Sequence, residues 1–186
     1  MPNLRRDCGG RKQGTMNEQE FQAAYPLIAG WIKQTLAQHA AAARPVSSLG
    51  FRRLGDYYAA PLLAGSKVVV VPRVPMPPLS AMGLARFRDF EQMEAVGITY
   101  LDTYFVRADH AHDEPLHFHE LVHVVQWRLL GPERFLALYA HGLEHFGYRN
   151  SPLEVMAYEL QEKFERDPQP FSVEAACQGE LDDFMR

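Results

Sequence analysis

Cysteine is almost missing from this chain: 186 residues hold two, Cys8 and Cys177. They make no metal-spacing pair and no disulfide framework. Excess positive charge is missing too. Nineteen Lys and Arg against 23 Asp and Glu leave a net charge of −4, with no long basic run. Nucleic acid is therefore not an expected partner. Long apolar runs are also lacking. Stretches such as Lys67-Val68-Val69-Val70-Val71 fall far short of the ~20 residues that cross a bilayer, so no membrane partner is expected. The first twenty residues carry Arg and Lys but no apolar core of a secretory signal, which makes a cytoplasmic location the expectation. Internal repeats are absent, and the short alanine run at 40–43 is the extent of low complexity.

What is present suits one globular domain. Apolar residues make up 47% and charged residues 23%, enough for a real core in a chain of this length. Residues 1–16 lack apolar periodicity and read as a disordered leader. A helix is expected over 17–43, capped by Asn17 with Glu20 three residues on, with Phe21, Tyr25, Ile28, Ile32 and Leu36 at helical spacing and Pro26 placed to kink it. Strands are expected over 49–58, 67–71 and 98–106, the last a run of β-branched and aromatic residues. Between them, the prolines of 72–79 require extended chain or loop, and a short helix is expected over 80–95.

After residue 113 the period becomes 3.6. Asp113 and Pro115 open a helix to about residue 130, Gly131-Pro132 breaks it, and a further helix runs to about 146. Ser151-Pro152 opens another, to about 166, and residues 171–186 read as a C-terminal tail or short helix. Helix, small sheet and a helical second half make the fold class α+β.

The chemistry concentrates in His117-Phe118-His119-Glu120-Leu121-Val122-His123. His119 and His123 are four apart on a helix and so stand one turn above each other, where both imidazoles can reach one Zn2+. Glu120 is too close to His119 to be the natural third ligand, but it is placed to act as general base on a metal-bound water. Composition alone would give such an HExxH roughly once in forty chains. Phe118, Val122, Val125 and Leu129 form a separate apolar stripe, which makes the segment an amphipathic helix with its histidines off the core line.

A catalytic zinc normally has three protein ligands. The metzincin pattern requires Gly at 126 and His at 129; Gln126 and Leu129 exclude it. A glutamate on a following helix remains, with Glu154 the first candidate and Glu159 the second. Glu154 has two readings. It is a ligand, or it closes the capping box of Ser151-Pro152-Leu153-Glu154 by reaching back to the Ser151 amide. Leu153, Met156, Leu160 and Phe164 form the apolar stripe of that helix, and Glu154 points elsewhere, with small Ala157 one turn along. His110 and His112 read as exposed, and His117 sits about 200° from His119 around the helix. His141 and His145 read as a generic i, i+4 pair.

On these residues the chain resembles the gluzincin, or thermolysin-like, group of zincin metallopeptidases, over about 98–166. The resemblance implies a zincin-like domain over 17–170, an N-terminal helix and small mixed sheet packed on the HExxH helix. It implies zinc held by His119, His123 and Glu154, with Glu120 as base. It also implies a peptide or protein substrate added as a strand along 98–106. Two departures stand out. Tyr158 occupies the position of the family's histidine-orienting aspartate, which leaves Asp102 or Tyr158 to do that work. No histidine follows Glu154 to stabilise an oxyanion, so Tyr148 becomes the first candidate, before His145 and His141. The expected activity is zinc-dependent peptide hydrolysis. The alternative is a zincin-like domain that keeps its metal and serves in binding or regulation.

Overall fold

The computed structural model describes residues 15–167 and 169–184, so nearly all of the expected leader, Cys8 included, lies outside the described residues. The chain is α+β. Helix α1, Glu18–His39, starts at the capping box of Asn17 and Glu20 and buries Phe21, Ala24, Ile28 and Ile32 along one face, with Pro26 inside it. Four short strands form one sheet: β1 Arg44–Pro45, β2 Lys67–Val71, β3 Gly97–Tyr100 and β4 Thr103–Arg107. Their order is β1-β2-β4-β3, with β2 and β4 parallel and the outer pairs antiparallel. Parallel pairing suits the valines of β2, of which Val68 and Val69 are fully buried.

The single strand expected over 98–106 is a hairpin. It turns at Leu101-Asp102, between Tyr100 and its partner Thr103, and Leu101 adopts a φ of 60°. Sequence gave no turn signal there, because glycine or asparagine normally takes that conformation. Alternation across the hairpin serves two layers. Tyr100 and Phe105 meet Trp31 and His39 of α1, whereas Thr99 and Tyr104 face the long helix below.

The strand expected over 49–58 is absent. Val46–Ser48 and Arg53–Asp56 are 3-10 turns, preceded by the short extended pair of β1 and followed by α2, Ala60–Gly65. The buried residues there are Leu54, Tyr57 and Tyr58, a helical spacing rather than an alternating one. Residues 72–78 form a loop without helix or strand, bent at Pro72 and Arg73. The helix expected over 80–95 is broken into 3-10 turns at Leu79–Met82 and Ala85–Phe87 and one turn of helix, α3, Arg88–Glu91.

Helix α4, Glu114–Phe146, crosses the protein's centre. Gly131 (φ 74°, ψ 165°) and Pro132 divide it where the sequence predicted a break. From His117 to Trp127 every side chain is buried, so the first half is not amphipathic, and Leu129, expected in the apolar stripe, is exposed. Helix α5, Pro152–Arg166, packs Leu153, Met156, Leu160 and Phe164 against α4, with Phe118 and Phe164 stacked at 4.4 Å. Residues expected as a tail or short helix form α6, Val173–Phe184, and bury Val173, Cys177 and Leu181. Burial pushes the Cys177 thiol up to about 12. No helix among the described residues is long and apolar enough to cross a membrane.

Candidate metal centre

Asp113 caps α4 by accepting the Leu116 amide, which sets the phase of the helix. His119 and His123 then lie on one face with their Nε2 atoms 3.2 Å apart. The first turn of α5 brings Glu154 to both. Its Oε2 is 3.5 Å from His119 Nε2, and its Oε1 is 3.4 Å from His123 Nε2. All three residues are buried, and among the described residues this is the one His, Cys, Asp or Glu group that could hold a metal ion.

Ser151 does not choose the capping-box alternative. It sits at the N-cap of α5, but its hydroxyl makes no capping bond and has no hydrogen-bond partner. Glu154 Oε1 instead accepts from the Tyr139 hydroxyl at 2.6 Å, and its Oε2 accepts no hydrogen bond. Close helix contact makes this possible. A Cβ on Gly142 would come within 2.7 Å of Ser151 Cβ, so only glycine there admits the start of α5.

These distances fit a cation. Ligands 2.0–2.1 Å from a tetrahedral zinc are separated by about 3.3–3.4 Å, and the three observed separations run from 3.2 to 3.5 Å. The charge fits as well. Glu120 and Glu154 are 4% and 1% exposed. Two carboxylates so far from water require compensating positive charge. Burial raises the Glu120 carboxyl above its ordinary value. Burial works against charge on His123 also, yet the Glu154 carboxylate outweighs it and raises the imidazole to about 9. The same pairing overcomes burial at Glu154 and holds its carboxyl well below the usual range. A divalent ion would replace the proton that the pair now shares.

Gln126 sets the tautomer. Its Nε2 donates to the Leu153 carbonyl at 2.9 Å, so its Oε1 must accept, and it lies 2.8 Å from His123 Nδ1. His123 therefore carries a proton on Nδ1, which leaves Nε2 as the nitrogen that faces the centre and that a metal would take. Asp102 does not take this role, because its carboxylate accepts the Thr103 hydroxyl at the hairpin turn. Tyr158 packs its ring against His119 at 4.6 Å. Replacing Gln126 by Leu should weaken zinc affinity roughly 10- to 100-fold without unfolding the protein, as measured by competition with a chromogenic chelator.

Glu120 faces the same space from beside His119. Its Oε2 accepts from Thr99 Oγ1 at 2.7 Å, which ties it to the edge strand β3. Gly97 makes room for it, because a Cβ there would lie 2.2 Å from Glu120 Oε1. Gly97→Ala should therefore displace the Glu120 carboxylate and cut turnover about 100-fold while zinc content stays unchanged. Paired activity and metal assays would show it.

The other candidates separate clearly. Tyr148 lines the same cavity as Glu120, His123 and Glu154. Burial, then Glu154, raises the Tyr148 hydroxyl far above its ordinary value, so it remains a proton donor. His141 and His145 are exposed and stacked on each other at 4.0 Å. Glu159 and His112 are exposed, and His110 bonds Asp113. His117 is held between the Tyr104 hydroxyl and the Ala111 carbonyl. Gln126, Thr99, Gly97 and Tyr139 are the contributors that sequence reasoning missed. Only Gln126, three residues after His123, carried a local signal. The chain matches no protein-family model, no curated protein and no solved structure.

Proposed function

We propose that this chain is a zinc-dependent hydrolase of the gluzincin type, with His119, His123 and Glu154 as the metal ligands and Glu120 as general base. The observation that carries the reading is the meeting of two imidazoles and one carboxylate, all buried, at tetrahedral-edge separations beside a second buried carboxylate. When bound, zinc supplies Lewis acidity, polarising a scissile carbonyl and acidifying water.

The chain's own groups divide the remaining work. Glu120, its carboxyl raised by burial, takes a proton from the attacking water and returns it to the leaving group. Thr99 and Gly97 fix where that carboxylate stands. Tyr139 holds Glu154 to its ligand position, and Gln126 holds His123 to its tautomer. Tyr148, at the cavity wall, is the hydroxyl available to donate to a developing oxyanion. Peptide amides are the expected substrates. The sheet edge at the centre is β3, Gly97–Tyr100, rather than the whole of 98–106, and its Thr99 carbonyl already accepts from the Trp127 indole.

Elemental analysis of protein purified without chelator should find close to one zinc per chain. A chelator should lower the melting temperature by roughly 5–10 °C, because ligand at a hundred times its Kd adds about 2.7 kcal/mol to the folded state. Zinc-free protein whose melting ignores both chelator and added zinc would refute the metal assignment. Full zinc occupancy without turnover on any acyl substrate would favour the binding or regulatory alternative.

A further inference from the structure

The centre has two unlike sides. On one lies an apolar cavity of about 90 Å³, bordered by Glu120, His123 and Glu154 and by no described lysine or arginine. His119 does not border it. It meets Tyr158 instead, whose ring lies 4.6 Å from its own and stands on α5 one turn beyond Glu154. Over the Tyr158 ring is the guanidinium of Arg149, its central carbon 4.8 Å from the ring centre. A cation thus stands one aromatic ring away from a candidate metal ligand.

Local structure fixes that position. Gly147 takes a φ of 74°, and the Ser151 amide donates to the Tyr148 carbonyl at 3.1 Å. Residues 148–151 therefore form a tight turn, with Arg149 at its first corner and exposed. The Arg149 side chain has no ion pair and no hydrogen bond with any described residue; its one contact of note is the Tyr158 ring. An aromatic face holds a guanidinium without neutralising it, and its forked N–H donors stay available to a planar acceptor such as a carboxylate. Charge sharpens the point. A divalent ion at His119, His123 and Glu154 would cancel the two buried carboxylates of Glu120 and Glu154. Arg149 would then stand as uncompensated positive charge beside the centre.

We infer that Arg149 binds a carboxylate of the substrate, and that the substrate class is an acylated amino acid or short peptide with that carboxylate near the cleaved amide. The carboxylate site rests on Arg149 and Tyr158; the cleavage rests on the hydrolase reading above. Two steps of 4.6 and 4.8 Å lead from the His119 ring to the guanidinium. An extended residue spans at most about 3.6 Å, so the carboxylate falls within one or two residues of an amide carbonyl at the centre. One water enters, and a carboxylic acid and an amine leave. A C–O bond forms, the C–N bond breaks, and the proton that Glu120 takes from water passes to the departing nitrogen.

Three probes test it: N-acetyl-leucyl-leucine, its C-terminal amide, and N-acetyl-leucyl-aspartic acid α-amide, which carries its carboxylate on a side chain. Each is titrated calorimetrically into the zinc-loaded full chain, and turnover is followed by release of primary amine. At least one acid should bind roughly fivefold or more tighter than the uncharged amide, and which one tells a chain terminus from an acidic side chain. The preference should shrink as salt is raised, because the pair is open to water. Arg149→Met should erase it, raising KM for the acid while kcat and the behaviour of the uncharged amide stay unchanged. Arg149→Lys, which keeps the charge and loses the fork, should restore part of it. Both variants alter an exposed side chain, so their melting profiles should match the wild type. Equal binding of all three probes, or a preference that survives in Arg149→Met, would overturn the carboxylate site. An Arg149-dependent preference without turnover of any probe would instead remove the hydrolase reading and keep the site as that of a carboxylate-binding domain.

Discussion

Glu120→Gln should retain its zinc and lose about a thousandfold in kcat, within the range that a positioned general base supplies. The substitution is nearly isosteric. An amide oxygen can still accept from Thr99 Oγ1, which now bonds Glu120 Oε2 at 2.7 Å, so the side chain need not move. What disappears is basicity. The variant also removes one of two buried carboxylates, and with it the cost of keeping that charge out of water. Its melting temperature should therefore stay level or rise. Metal analysis, turnover and a thermal melt on one preparation separate these effects. Residual activity close to wild type would eliminate Glu120 as the base, whatever the zinc content.

The second large effect is expected at Glu154. Glu154→Ala removes one of three ligands, leaves the Tyr139 hydroxyl without its acceptor and strips His123 of the carboxylate that stabilises its charge. Zinc affinity should fall by several orders of magnitude, and breaking a buried pair from one side should cost the metal-free protein about 3–5 kcal/mol. Glu154→Gln is the informative companion, because it keeps an acceptor for Tyr139 but forfeits the charge. It should recover much of the stability and little of the zinc. Undiminished zinc affinity in both variants would show that the metal, if bound, sits elsewhere.

How far the sequence alone reached depends on whether an interaction was local. His119, Glu120 and His123 were readable because helical geometry converts a four-residue spacing into a shared face. The break at Gly131-Pro132 and the capping box of α1 were readable for the same reason. Glu154 was legible only as a choice between ligand and cap. What turns the Ser151 reading aside is Tyr139, fifteen residues earlier, on a helix whose approach depends on a missing side chain at Gly142. Nothing in the neighbourhood of any of these residues announces the others. The hairpin within 98–106 was hidden because Leu101 takes a left-handed conformation that its residue type disfavours. Gly97 could have been flagged only as a glycine at a strand edge. Its reason, the space taken by Glu120, comes from a helix more than twenty residues away.

The interruption of α4 at Gly131 has a consequence for how this protein can change. Residues before it hold His119, His123 and Glu120, while Leu136, Ala140 and Leu143 after it border the adjoining chamber. Within this one helix, two of the three candidate ligands thus precede the joint, and those three residues of the chamber's wall follow it. Substitutions beyond the joint can remodel what the chamber admits while the reactive groups keep their stations. Tyr139 is the rivet between the two provinces, since it borders the chamber yet grips Glu154. A lineage free to vary its neighbours would still be held to a hydroxyl at that position.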